Sequence, residues 1–246
     1  MRVPATAPFD GASLLAFLAA RAVPGVEEVV GHTYRRSLPD GSVAEATVLP
    51  DGIETDAPAV AAVFDLDAPA AEIADVLGRD PQLRFTPGRR VPGVVDGYEL
   101  AIRAVLGQQI SIQAAATHAA RLVAVAGEPV AEPRGTVTHV FPTAEAVAAA
   151  PDSAFAMPLR RRETLRALAG TPLDELISLP GIGPWTQSYV AMRALRDRDA
   201  WLPTDLGVKH ALARIGHDGD AERWRPFRAY AVVQLWATLS SAPVRS

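Results

Sequence analysis

Three groups of residues have types and spacings suited to chemistry. Asp205 follows Trp201-Leu202-Pro203-Thr204 and opens a stretch, Leu206 to Ile215, with helical apolar spacing. A carboxylate at a helix start is favoured by the dipole and on its own reads as a cap. Beside a substrate it can stabilise a developing cation or orient an attacking water. The second group is Leu179-Pro180-Gly181-Ile182-Gly183-Pro184, a Gly-rich turn feeding directly into a helix. Glycine lets the main chain approach a ligand closely, and the free N–H groups of a helix N-terminus favour a phosphate. Such contacts position a nucleic acid without reading its sequence. The third is Trp185 with Tyr189, four residues apart and so on one helix face. Lys209 is the only lysine. It follows Asp205 by one helical turn and reads as an ion-pair or backbone-phosphate residue.

The elements that position these groups divide into two parts. Before about residue 80 the pattern is α+β. A helix is expected over Ser13 to Val23, strands over Thr33 to Leu38, Ser42 to Leu49 and Ala61 to Leu66, and a closing helix over Ala70 to Leu77. Turn signals Pro39-Asp40-Gly41 and Pro50-Asp51-Gly52 separate the strands. From Pro81 strand signals fade. Helices are expected over Gly97 to Ala126, Thr143 to Ala150, Arg160 to Ala169, Leu173 to Ser178, Thr186 to Arg196, Leu206 to Ile215 and Ala221 to Leu239. The fold class is α+β, mostly α. Residues 1–80 form an N-terminal domain and residues 81–246 a helical catalytic region, the latter split into 97–197 and 81–96 with 198–246.

Composition narrows the function. With no cysteine in 246 residues, disulfides, thiolate metal sites and iron–sulfur clusters are excluded. No apolar run approaches a membrane span, and the start lacks a secretory pattern, so a cytoplasmic, nucleoid-associated protein is expected. The net charge of −4 is unevenly spread: residues 1–86 hold six arginines against thirteen acids, the remainder eighteen basic groups against fifteen acids. A basic second part suits DNA contact there.

The Leu179 to Gly183 turn followed by Asp205 resembles the helix-hairpin-helix and essential Asp of the HhH-GPD superfamily of base-excision glycosylases. Within it the chain most resembles the AlkA family, the 3-methyladenine DNA glycosylases II. Further matches are Phe17 to Val23, Arg103 to Gln108, Phe141-Pro142-Thr143, Met157-Pro158-Leu159 and Trp224 to Tyr230. The resemblance therefore runs over nearly the whole chain.

The resemblance implies a TATA-binding-protein-like N-terminal domain, a helical glycosylase body, and a monomer acting on double-stranded DNA that contains damaged bases. It implies Asp205 as the catalytic carboxylate, and Trp185, Tyr189, Trp236 and Leu206 in the base pocket. It further implies Gly181, Ile182, Gly183, Gln108, Gln109 and Thr186 in DNA binding. No cofactor is expected beyond a monovalent cation on the hairpin carbonyls. Such enzymes extrude the base, and an electron-rich Trp favours cationic alkylated purines. Gln109 stands at the wedge position, where leucine is common. Leu206 and Ala237 replace family aromatics, which implies a roomier pocket. The superfamily's lyases carry an amine nucleophile two residues past the last hairpin glycine. Trp185 stands there instead, which implies simple hydrolysis with no lyase step. Two other readings remain: a damage-binding module without catalysis, and a glycosylase for other modified bases.

Overall fold

The computed structural model describes residues 1–240. An antiparallel five-stranded sheet leads the chain, in the order β1-β5-β4-β3-β2, from β1 (Arg2–Pro4), β2 (Glu27–Val30), β3 (Thr33–Ser37), β4 (Val43–Leu49) and β5 (Gly52–Thr55). Helix α1 (Gly11–Ala19) covers one face, and Leu14, Leu15 and Leu18 pack with Tyr34, Ile53 and Phe64. Asp10 caps α1 by accepting from the Ser13 amide.

The strand expected over Ala61 to Leu66 is instead a 3-10 helix, Pro58–Phe64. Pro58 presets a helical φ at the first position, and Val60 and Val63 are buried three residues apart, the 3-10 repeat. Strands β1, β2 and β5 were not expected. Each is three or four residues long, too short for an alternation to register.

Beyond the sheet the chain is mostly helical: α2 (Ala70–Leu77), expected to close the first part, packs with the later helices, which are α3 (Gly97–Leu106), α4 (Ile112–Ala126), α5 (Ala144–Ala149), α6 (Leu159–Ala167), α7 (Pro184–Arg193), α8 (Leu206–Ile215) and α9 (Arg228–Ser240). Among the described residues no helix is long and apolar enough to cross a membrane. The expected continuous helix over Gly97 to Ala126 is broken at Gly107 to Ser111, where Ser111 caps α4. Leu173–Ser178 is 3-10 rather than α: the seven residues between Pro172 and Pro180 leave no room for a longer ladder. An unforeseen hairpin, β6 (Pro129–Arg134) and β7 (Val137–His139), returns to the sheet through Arg134–Asp56 at 2.5 Å and Thr136 N–H to Glu28 at 3.1 Å. Its prolines hid it from a strand reading.

The helices bury two further cores. One joins α3, α4, α5 and α6 with Val190 of α7, and the other joins α2, α8 and α9 with Met192 of α7. Helix α7 therefore bridges the two. The sheet is tied to α3 by a buried ionic network. Arg36 donates to Glu99 at 2.6 Å, Arg103 meets Glu99 at 2.8 Å and Glu27 at 2.7 Å, and Tyr34 donates to Glu27.

Candidate active site

The hairpin is built as the Leu179 to Gly183 turn between the 3-10 segment and α7. Gly181 adopts φ +90°, and a side chain there would run into Thr164 Oγ1 at 2.5 Å. Thr164 of α6 fixes the turn by donating to the Pro180 carbonyl at 2.6 Å. Gly183 is the N-cap of α7 with no side-chain cap, and Pro184 takes a first-turn position that needs no N–H. The end of α7 thus presents backbone N–H groups, and Gly181 is exposed. Ile182 is buried and anchors the turn, and Thr186 is buried too.

One turn apart on α7, Trp185 and Tyr189 stack on each other, with centroids 5.0 Å apart and planes 11° apart. Because the two rings already face each other, a planar ligand can use only outer ring faces. Trp236 of α9 meets Tyr189 at 6.4 Å in a tilted contact. Phe17 of α1, which sequence reasoning missed, stacks on Trp236 at 6.0 Å. Arg21 lies 3.8 Å over the Phe17 ring, and Arg193 lies 5.1 Å over it and 5.3 Å over Tyr189. Arg193 also donates to the Tyr189 hydroxyl at 2.6 Å. Burial alone would raise that hydroxyl's pKa, but the charges of Arg193 and Arg21 outweigh it and hold it below the usual tyrosine value. Burial lowers the Arg21 guanidinium's own pKa.

Asp205 caps α8, accepting the Val208 N–H at 2.8 Å through Oδ1. The same carboxylate takes both tryptophan N–H groups: Trp236 Nε1 donates to Oδ1 at 3.0 Å, and Trp185 Nε1 donates to Oδ2 at 2.8 Å. The three donors are neutral, so they orient the carboxylate without cancelling its charge. Among the described residues Oδ2 has one donor against two on Oδ1, and so keeps more capacity to accept from a water.

Leu206, expected in the pocket, stands outside this group, 68% exposed at the start of α8. Lys209 is exposed. Gln108 is turned inward, its amide donating to the Gly181 carbonyl at 3.0 Å, while Gln109 is exposed. Among the described residues no group of three or more His, Asp or Glu could hold a metal.

Gly207 was also missed. A Cβ there would meet Asp205 Oδ1 at 3.0 Å and Trp236 Cδ1 at 3.1 Å. A glycine in a first helical turn is costly unless packing requires it, which is the signal that could have found it. Gly207→Ala is expected to lower single-turnover activity about 3- to 10-fold while thermal unfolding shows no loss of stability, because Ala favours the helix. An unchanged rate would mean that the gap is not needed.

The AlkA N-terminal domain family matches residues 1–55. The probable bifunctional transcriptional activator/DNA repair enzyme AlkA of Mycobacterium tuberculosis is 38% identical over 281 aligned residues, which cover 97% of this chain and 57% of that protein. The chain thus spans little more than half the length of that relative. DNA-3-methyladenine glycosylase 2 of Escherichia coli is 35% identical over 94% of each chain. The 3-methyladenine DNA-glycosylase from Archaeoglobus fulgidus shares the fold, with a TM-score of 0.83 over 99% of both chains at 22% identity. On the strength of the Escherichia coli relative, the chain belongs to the AlkA family of DNA-3-methyladenine glycosylases.

Proposed function

We propose that this chain is a monofunctional DNA glycosylase. It extrudes an alkylated purine of the 3-methyladenine or 7-methylguanine type from duplex DNA, hydrolyses its N-glycosidic bond and leaves an intact abasic strand. The observation that carries the reading is the Asp205 carboxylate, held by Trp185 and Trp236 N–H groups at the edge of an aromatic cluster.

The hairpin amides of Gly181 and Gly183 hold a backbone phosphate, while the Ile182 N–H, expected to join them, closes the turn by donating to the Leu179 carbonyl at 3.1 Å. Gln109 probes the duplex from the turn between α3 and α4, and Thr186 supports the hairpin. A cationic base stacks on the outer faces of Trp185 and Trp236. As the bond breaks, positive charge develops on the sugar. Asp205 faces that charge, and Oδ2 accepts a hydrogen bond from the attacking water. The position of a lyase amine is occupied by Trp185, and Lys209 is exposed on α8. No resident cofactor takes part. A monovalent cation at the hairpin would rest on turn carbonyls, of which Leu179, Pro180 and Gly181 each already accept one hydrogen bond and retain a second lone pair. The enzyme works as a monomer in the cytoplasm, on the nucleoid.

Borohydride added during turnover on a duplex with one alkylated base tests the reading. Free base with no covalent protein–DNA adduct is expected. A trapped adduct would contradict hydrolysis. A shifted gel band without base release would favour a damage-binding module.

A further inference from the structure

We propose that Arg161 is a positioning residue: together with Gln108 it locks the probing turn to the phosphate-gripping hairpin, so that the two engage DNA as one rigid unit. The proposal rests on the glycosylase reading.

The turn after α3 ends in Gln109 and Ile110, both exposed. Gln109 has φ +63°, a left-handed conformation that residues other than glycine rarely adopt. A strained residue of this kind persists where its surroundings over-determine it. The surroundings here come from α6. Arg161 donates from Nη1 to the Gln108 carbonyl at 3.0 Å and from Nη2 to Gln109 Oε1 at 3.5 Å. Three residues later on the same helix, Thr164 holds the hairpin through the Pro180 carbonyl at 2.6 Å. The Gln108 amide closes the triangle, donating to the Gly181 carbonyl at 3.0 Å and to Thr186 Oγ1 at 3.4 Å. Helix α6 is thus a bracket that sets the offset between the residue that fills the duplex gap and the amides that grip the strand. Excision from a single strand leaves no duplex gap to fill. The lock therefore matters for duplex substrates alone.

Single-turnover base release by Arg161→Leu is measured on one alkylated oligonucleotide, both annealed and single-stranded. The duplex rate is expected to fall about tenfold, with the single-strand rate within about twofold of wild type. The salt dependence of duplex binding is expected to be unchanged, because no phosphate contact is lost. An equal fall on both substrates, an unchanged duplex rate, or a shallower salt dependence overturns the proposal. Hydrogen exchange of the free protein provides a readout independent of activity. Gln108→Leu is expected to speed exchange in both residues 106–112 and residues 179–184. Acceleration confined to the first segment overturns the coupling. Wild-type protein that releases no base from either substrate would instead refute the glycosylase reading, leaving the exchange result to judge the lock.

Discussion

Asp205→Asn is expected to lower single-turnover base release by about 10²- to 10⁴-fold, the range for loss of a general base or of charge stabilisation in a transition state. Folding and duplex binding should survive. Asn caps helices as well as Asp, and its Oδ1 can still accept from Val208 N–H and Trp236 Nε1. The conflict is at the other atom. An amide nitrogen in place of Oδ2 would face Trp185 Nε1, now at 2.8 Å, donor against donor. That lost bond should cost about 1 kcal/mol in denaturant unfolding. A rate within tenfold of wild type would remove Asp205 from the chemistry. A collapse in stability would mean that the clamp is chiefly structural.

The second large effect is on stability. Arg36 and Glu99 are both buried, and their 2.6 Å contact joins strand β3 to helix α3. Removing Arg36 leaves the buried Glu99 with Arg103 as its one remaining cationic partner among the described residues, so Arg36→Met is expected to cost about 3 kcal/mol, the low end for breaking a buried pair. Replacing both, as Arg36→Met with Glu99→Leu, should recover part of that loss. A double variant no more stable than the single would contradict this account. The network also sets a pH dependence. Burial pushes the Glu99 carboxyl up, but Arg36 and Arg103 outweigh it and hold it below the ordinary carboxylate value. A depressed folded-state value means that its contribution is complete at neutral pH and is lost as pH falls through that value. Arg36→Met should therefore flatten the acid side of the stability profile.

The parts of this site legible in the sequence are local ones. A Gly-rich turn before a helix, two aromatics one turn apart, and an Asp at a helix start each declare themselves within a few residues. Helices α2 and α8 run over the residues that their apolar spacing predicts. Contacts made between distant elements could not be read this way. Phe17 reaches Trp236 from α1, Arg193 reaches Phe17 from the C-terminal end of α7, and Arg161 reaches Gln108 from α6. Each looks in sequence like an ordinary surface or core residue. Gln108 shows the same limit from the other side. Its type and loop position suggest a DNA contact, and they do not reveal that its amide nitrogen also donates to the hairpin carbonyl. Leu206 follows Asp205 directly, yet at the first helical position it is carried out to solvent rather than onto the rings. The Pro58–Phe64 segment misled because a short apolar run fits a strand and a 3-10 turn equally well.

The most direct test of the central claim is chromatography of bases released from dimethyl-sulfate-treated duplex DNA by the wild-type chain and by Asp205→Asn. The wild type is expected to release methylated purines and leave alkali-labile but uncut strands, and the variant to release almost none. No methylated base from the wild type, or equal release by the two proteins, would contradict the account.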